Sequence, residues 1–288
     1  MRAERARGRA MIVRSSATLG MLGVLSVLGA CADTEGANPS PSPSADLLVA
    51  VRHGAITAPD SVSPGWTRVR VEEAEDAHIV VLFRLPANST EQDVAAFVAA
   101  LDTAPATPQP GVAVGGPEVG VLGEVILRVT PGLHVLACVR RGEDGHRHAS
   151  RGEFRVLHAR PETAAHEATA APPSGAQVVR MVDFAYVGTD GWTPGAQLLQ
   201  VENTGKQDHE VRLVRLRDGA TLQSWMTADD PDTVATSVAG MARIGPGEVA
   251  YLPVDLVPGS YLVYCLVADV RSRRPHLELG MVREIRVQ

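Results

Sequence analysis

Apolar and polar side chains alternate in short segments along most of the chain, with glycine and proline between the segments. Alternation with a period of two residues places the apolar side chains on one face of a β-strand. Such segments in residues 46–160 are 47–52, 66–71, 78–84, 124–129, 133–139 and 153–157. Those in residues 176–288 are 177–182, 197–201, 209–215, 248–254, 260–267 and 282–287. The pattern predicts an all-β protein built from antiparallel Greek-key sandwiches.

One segment breaks the alternation and predicts an α-helix. Ser89-Thr90-Glu91-Gln92 resembles a capping box, which marks the start of a helix. The following residues, DVAAFVAAL, have amphipathic helical spacing up to about Leu101. Residues 220–225 are expected to form a weaker counterpart among the later strands.

The two sets of strands are copies of one unit. When residues 46–160 are laid over residues 176–288, Pro131-Gly132 falls on Pro258-Gly259 and Cys138 falls on Cys265. Residues 161–175 lie between the copies, are rich in proline and alanine, and carry no strand pattern, so we expect a linker there. The sequence therefore predicts two tandem sandwich domains, at residues 46–160 and 176–288.

Side chains that can bind a metal collect near the end of the second copy. Cys265 lies in a predicted strand, His276 and Met281 follow it, and His209 opens an earlier strand. A soft thiolate and two imidazoles, with a weak thioether, form the ligand set that selects copper in electron-transfer sites. The alternative is that Cys265 is a small buried apolar residue, His276 a loop residue and Met281 part of the core.

These residues resemble the motif of the cupredoxin family, in which a turn rich in Asn and Gly and a His precede Cys, Pro-His and Gly-Met. The turn here is Asn203-Thr204-Gly205, and the match covers the last third of the chain. The resemblance implies two cupredoxin-like sandwiches and a type 1 copper centre in the second, which would hold one ion. The implied ligands are Cys265 as the thiolate, His209 and His276 as the imidazoles, and Met281 as the axial ligand.

The first copy carries a related but altered set of residues, namely His78, Cys138, His148 and Glu153. Glu153 stands where the second copy has Met281, and a hard anionic carboxylate disfavours Cu(I). We therefore expect an altered second metal site, or none, in the first copy. The scattered histidines are expected at the surface or in the linker: His53, His134, His158 and His166.

The resemblance includes both electron carriers and enzymes. Two-domain cupredoxins include copper nitrite reductases and small multicopper oxidases, which join a type 1 cysteine to a catalytic centre through adjacent histidines. Tyr264 and Leu266 flank Cys265, and the chain contains no His-Cys-His sequence. An electron carrier or copper-binding protein, served by a redox partner protein, is therefore favoured over an enzyme. The alternative is a metal-free binding or scaffold module.

The first residues predict export and attachment to a membrane. Residues 1–30 combine five arginines with an apolar run and end in Leu28-Gly29-Ala30, which is typical of a secretory signal. With Cys31, this ending resembles the bacterial lipobox and implies a lipoprotein acylated at Cys31. Residues 31–45 contain proline, serine and glycine, and we expect a disordered tether. The expected location is an extracytoplasmic membrane face, in the periplasm or on the outside of the cell envelope.

The net charge of the chain limits the partners that it can bind. The formal charge of the whole chain is −6, and removal of five arginines and one glutamate with residues 1–30 leaves −10. Such an acidic protein is not expected to bind nucleic acid.

A disulfide between Cys138 and Cys265 is the alternative to two free thiols, since both cysteines would meet an oxidising compartment.

Overall fold

The computed structural model describes residues 45–52, 54–74, 78–102, 111–118, 123–160 and 171–288. The predicted signal peptide, Cys31 and the predicted tether before residue 45 lie outside this set, as do residues 161–170 of the predicted linker. His53 and His166 also lie outside it.

The first half of the described chain consists mainly of strands. Its elements are β1 (Ala45–Arg52), β2 (Ala55–Thr57), β3 (Ser61–Val62), β4 (Gly65–Ala74), β5 (Val80–Arg84), α1 (Glu91–Asp102), β6 (Val112–Gly115), β7 (Glu124–Val129), β8 (Gly132–Cys138), a 3-10 helix (His148–Arg151) and β9 (Phe154–Ala159).

The second half follows this order, except that it has no counterpart of β3 and has an additional 3-10 helix after its α-helix. Its elements are β10 (Gln177–Val182), β11 (Ala185–Val187), β12 (Gly195–Asn203), β13 (His209–Leu216), α2 (Leu222–Thr227), a 3-10 helix (Pro231–Thr233), β14 (Ala235–Ile244), β15 (Val249–Leu256), β16 (Gly259–Tyr264), a second 3-10 helix (His276–Leu279) and β17 (Val282–Val287). The prediction of an all-β protein is confirmed.

Each half contains two sheets, and one sheet is continuous between the halves. The first half has a sheet of order β3-β9-β8-β5-β6, and the second half has one of order β14-β13-β16-β17. The third sheet has the order β11-β10-β12-β15-β7-β4-β1-β2. Its centre is the antiparallel pair of β15 and β7, in which Ala250 lies opposite Leu127 and Tyr251 opposite Ile126. The repeated halves are therefore joined edge to edge by backbone hydrogen bonds.

The main core lies between the sheets. In the first half, Val49 and Val69 of one sheet and Leu82 and Leu136 of the other belong to the same cluster of buried residues. That cluster continues into the second half, for example through Met241. A continuous apolar core confirms the prediction of β-sandwiches, but the sheets are not purely antiparallel as predicted, because β1 pairs with β4 and β10 pairs with β12 in parallel.

Both helices cover the outer face of a sheet. Val80 and Leu82 of β5 point into the main core, whereas Val81 and Phe83 pack with Phe97 of α1. β5 is therefore buried on both faces, unlike the one-sided strand that alternation predicted at residues 78–84. In the second half, Trp225 of α2 packs on Val214 and Tyr264, and the three residues form part of a separate cluster.

The start of each helix differs slightly from its prediction. The backbone N–H and the hydroxyl of Thr90 both donate to the Asp93 carboxylate, at 2.7 and 3.0 Å. The cap of α1 therefore joins Thr90 to Asp93, not Ser89 to Gln92. In α2 the side chains of Thr221 and Ser224 form a complete capping box, so the helix begins at Leu222.

Candidate metal centres

We call His209, Cys265, His276 and Met281 the second-half cluster. His209 is the first residue of β13, Cys265 follows β16, and Met281 precedes β17. All four side chains have 0% relative exposure. The Nδ1 atoms of His209 and His276 are 3.0 Å apart, and Sγ of Cys265 is 3.5 Å from Nδ1 of His276. The structure thus brings the predicted thiol and both predicted imidazoles together. Met281, which follows His276 in the sequence, is also fully buried.

We call His78, Cys138, His148 and Glu153 the first-half cluster. Sγ of Cys138 lies 3.6 Å from Nδ1 of His78 and 3.7 Å from Nδ1 of His148. The Glu153 carboxylate lies against both rings, with Oε1 2.6 Å from Nδ1 of His78 and Oε2 3.1 Å from Nδ1 of His148. All four residues predicted from the repeat therefore meet at one point.

The same backbone hydrogen bonds hold both clusters. In the second half, His276 donates to the Val267 carbonyl, Met281 to His276 and Cys265 to Met281. In the first half, His148 donates to Arg140, Glu153 to His148 and Cys138 to Glu153. Gly152 and Gly280 have φ values of 100° and 104°, which glycine adopts without strain. Each cluster therefore needs a glycine directly before Glu153 or Met281.

The long loop between Cys265 and His276 is fastened to the rest of the site. Asp269 accepts hydrogen bonds from the backbone N–H groups of Arg271 and Ser272 and from the side chain of Gln207. These bonds, that of the Ser272 backbone first, lower the pKa of Asp269. The loop is thereby tied to the turn that precedes His209.

A second layer of residues orients His209, and the sequence motif did not predict it. Nε2 of His209 is 2.7 Å from Oδ1 of Asp183. Although burial alone would raise it, hydrogen bonds from His209 and from the Lys206 backbone lower the pKa of Asp183. Gly205 is required here, because a Cβ at its position would lie 2.4 Å from Oδ1 of Asp183 and 2.7 Å from Nε2 of His209. Asp183 therefore leaves Nδ1 of His209 as the atom facing His276.

Two further residues complete the surroundings of the second-half cluster. The ring of Phe184 lies 4.7 Å from that of His276, between centroids. The amide of Asn203 donates to the carbonyls of Gln207 and Ile244 and accepts from the Gly205 backbone, which fixes the turn before His209. Only this turn had a signal in the sequence, as part of the Asn-Thr-Gly motif.

Burial sets the protonation of the second-half cluster. Burial first, and then the neighbouring His209, lowers the pKa of His276 to about 4. Burial also lowers the pKa of His209, although Asp183 opposes this effect. Burial, and then the charge of Glu210, raises the pKa of the Cys265 thiol. The imidazoles are therefore neutral at pH 7, the form that binds a metal, and the thiol must release its proton when a metal binds.

The donor atoms fit a first-row transition metal. In each cluster the ligand atoms of the Cys, His and Glu side chains lie within 4.8 Å of one another. Bonds of about 2.0–2.3 Å from one ion to nitrogen and sulfur imply ligand separations of about 3–4 Å. The measured distances agree, and two imidazoles with a thiolate suit copper. Within the described part of the chain, these two clusters are the groups of three or more His, Cys, Asp and Glu side chains that meet in this way.

Two predictions made from the cysteines and histidines are wrong. Cys138 and Cys265 are both free and buried, so the disulfide alternative is wrong. The surface prediction for His134 is also wrong, since this residue of β8 has 0% exposure and burial lowers its pKa to about 4. His158 is partly exposed and lies 3.1 Å from the carboxylate of Glu91.

Among the described residues, no helix is long and apolar enough to span a membrane.

No protein-family model matches the chain, and no curated protein is similar to it in sequence. Solved cupredoxin structures are similar to parts of it. Auracyanin from Roseiflexus castenholzii is 19% identical over 40% of this chain and 99% of its own, with a TM-score of 0.28. Auracyanin A from Chloroflexus aurantiacus, a blue copper protein, is 13% identical over 40% of this chain and 100% of its own, with a TM-score of 0.26. Copper nitrite reductase from Nitrosomonas europaea is 14% identical over 85% of this chain and 93% of its own, with a TM-score of 0.24.

Proposed function

We propose that this protein is a cell-envelope lipoprotein that binds one copper ion in the second-half cluster for one-electron transfer or copper handling. The observation that supports copper is that Nδ1 of His276 lies 3.0 Å from Nδ1 of His209 and 3.5 Å from Sγ of Cys265, with all three side chains fully buried. Copper bound there would supply a couple between Cu(I) and Cu(II).

The protein's own residues would prepare the site for such an ion. Cys265, His209 and His276 would provide the strong ligands, and the Met281 thioether would provide a weak one. The Asp183 carboxylate orients His209, and the Phe184 ring lies against His276. Complete burial of the ligands excludes water from them, which favours electron transfer over binding of a substrate to the ion.

A copper titration tests this proposal on the second-half cluster alone. The protein is prepared with Cys138→Ser, which removes the thiol of the first-half cluster. We expect one equivalent of Cu(II) to bind and to produce strong visible absorption from thiolate-to-copper charge transfer. The matched control carries both Cys138→Ser and Cys265→Ser and is expected to stay colourless. A colourless Cys138→Ser protein with an accessible Cys265 thiol would instead support the metal-free binding or scaffold module.

The proposed membrane anchor rests on the Leu-Gly-Ala-Cys sequence at residues 28–31. Acyl chains each contribute about 0.8 kcal/mol per buried CH₂, and more than one chain is needed for stable attachment. The variant Cys31→Ser should therefore move from the membrane fraction to the soluble fraction of cells that express it. Equal membrane partitioning of Cys31→Ser and the parent protein would contradict the anchor.

A further inference from the structure

The first-half cluster has features that a merely vestigial site would not need. Its four residues keep their ligand atoms within 4.8 Å of one another, as do the three polar ligands of the second-half cluster. Glu153 has 2% exposure, and its two oxygens lie 2.6 Å from Nδ1 of His78 and 3.1 Å from Nδ1 of His148. A buried carboxylate is costly unless a positive charge lies beside it, and a cation bound among these ligand atoms would supply that charge.

The charges of the two clusters differ by one unit. Once a metal has displaced the thiol proton, Cys138 and Glu153 carry −2 between them, whereas Cys265 is the single anion among the four residues of the second-half cluster. Buried sites disfavour net charge. A divalent ion neutralises the first-half cluster, which has two neutral imidazoles and a charge of −2. Cu(I) neutralises the second-half cluster, which has two neutral imidazoles and a charge of −1.

The second-half cluster has one more carboxylate nearby, but that group is outside the ligand set. Asp183 touches the far nitrogen of His209, and its side chain is 23% exposed. It also accepts hydrogen bonds from the Lys206 backbone. Solvent and these donors screen its charge, whereas the Glu153 side chain is only 3% exposed and its oxygens lie among the ligand atoms themselves. The difference of one charge therefore persists at the metal positions.

The clusters also differ in their access to solvent. The side chain of His148 is 24% exposed, whereas His276 is fully buried and has the ring of Phe184 against it. An ion in the first-half cluster would be reached from solvent along the His148 side, but one in the second-half cluster would not.

We propose that His78, Cys138, His148 and Glu153 form a second metal site that holds a divalent ion, Cu(II) above all, in its oxidised state. Carboxylate oxygen is a hard ligand that suits the oxidised ion, and Cu(II) forms the strongest complexes among the divalent first-row metals. The protein then carries two unlike sites, a solvent-accessible divalent site and an enclosed site that accommodates Cu(I). This proposal goes beyond the single copper ion of the proposed function.

Cys265→Ser isolates the first-half cluster for a direct test. Titration with Cu(II), followed by electron paramagnetic resonance, should show one bound equivalent in this variant and two in the wild-type protein. After addition of ascorbate, the Cys265→Ser protein should keep its Cu(II) signal, whereas the Cys138→Ser protein should lose it. A chelator should remove copper faster from Cys265→Ser than from Cys138→Ser, because the side chain of His148 is partly exposed and that of His276 is not.

Two substitutions of Glu153 in the Cys265→Ser background test the carboxylate itself. Glu153→Gln and Glu153→Met each remove one negative charge, so copper bound by these variants should become reducible by ascorbate. Glu143→Gln, at an exposed position of the same half, is the matched control and should leave the signal unchanged. Circular dichroism of each metal-free variant checks that it is folded, and Glu153→Met supplies the answer if the glutamine variant does not fold.

The outcomes separate this proposal from the proposed function. A folded Cys265→Ser protein that binds no copper would overturn the second site and leave the copper site at Cys265 intact. The oxidised-state assignment would be overturned if ascorbate reduced the copper of Cys265→Ser as readily as that of Cys138→Ser. It would also be overturned if the copper of both Glu153 variants still resisted reduction by ascorbate. If Cys138→Ser binds no copper whereas Cys265→Ser binds one equivalent, the proposed function is contradicted and the second site stands.

Discussion

At the scale of single residues, Asp183 shows how a residue outside the second-half cluster can set the properties of a histidine within it. Its carboxylate lies 2.7 Å from Nε2 of His209, so His209 donates there and presents Nδ1 to the cluster. A carboxylate in this position fixes the tautomer and increases the basicity of a ligand imidazole. Removing its charge should therefore weaken metal binding without removing a ligand.

We predict that Asp183→Asn lowers the copper affinity of the second-half cluster by about 10–100-fold. The measurement is competition with a chelator in the Cys138→Ser protein. Asp190→Asn is the control, because Asp190 is 85% exposed and pairs with Arg283 at the surface. Equal affinities of the Asp183→Asn and Asp190→Asn proteins would show that Asp183 does not support His209.

The ligand residues could be predicted from the sequence, whereas the residues around them could not. His209, Cys265 and His276 follow a motif whose order along the chain survives in both copies. Asp183 and Phe184 come from the turn between β10 and β11, and the folding of the chain alone brings them to the cluster. No local pattern marks a single Asp or Phe as a neighbour of a residue far along the chain.

At the scale of elements, the alternating pattern predicted most of the longer strands. β7, β10 and β17 have the predicted bounds of 124–129, 177–182 and 282–287. The strands that it did not predict are β2, β3, β6, β11 and β14. β2, β3 and β11 have only two or three residues each, which is too short for a period of two to be recognised.

β14 was missed for a different reason. Residues 239–242 of this strand are all buried, so no polar side chain alternates with the apolar ones there. Gly240 also lies close to Glu118 of the first half, and a Cβ at Gly240 would be 1.9 Å from Oε2 of Glu118. Contact between the halves therefore selects small residues in β14, which weakens the strand signal in the sequence.

The predicted strand 260–267 also ended early, for a reason that concerns the site. β16 ends at Tyr264, and the backbone of Cys265 then bonds to Met281 and Leu277. The backbones of Cys265 and Val267 instead form hydrogen bonds with residues of the segment 276–281. The alternating pattern in the sequence therefore extends three residues beyond the end of β16, to Val267.

At the scale of the whole molecule, the repeat predicted two copies but not their connection. All described residues fall in one compact unit, and β7 and β15 join the halves through a shared sheet. Alternation shows which face of a strand is buried, but it does not show which strand lies at its edge. Side chains add to this connection, since Arg84 pairs with Glu248 at 2.6 Å and the rings of Trp66 and Tyr251 meet at 5.0 Å.

A partly buried group of charges also joins the halves. Arg212 of β13 pairs with Glu118 of the first half at 2.7 Å and with Glu210 at 3.0 Å. One guanidinium thus serves two carboxylates. Burial raises the pKa of Glu118 to about 7; Arg212 opposes this rise and Glu210 adds to it. Glu118 therefore holds a proton in the folded protein at pH values where the unfolded chain has lost it.

This raised pKa predicts a pH-dependent stability. Below about pH 4.5 the group is protonated in both states and contributes nothing to the difference between them. As the pH rises from 4.5 to 7, the unfolded chain releases the proton first, so the free energy of unfolding falls. A shift of the pKa from 4.5 to about 7 corresponds to a loss of about 3 kcal/mol at most. Above pH 7 the loss is complete and constant.

We predict that Glu118→Gln removes this fall, because glutamine resembles the protonated carboxyl and does not titrate. The measurement is urea unfolding of the metal-free protein between pH 4.5 and 8, with the difference between variant and wild type plotted against pH. Glu278→Gln, which loses a surface pair with Arg274, is the control and should follow the wild-type curve. Loss of the pairing between Glu118 and Arg212 adds a nearly constant offset, so the slope alone decides. Parallel curves for Glu118→Gln and the wild type would show that Glu118 is ionised in the folded protein throughout this range and that the charges between the halves do not sense pH.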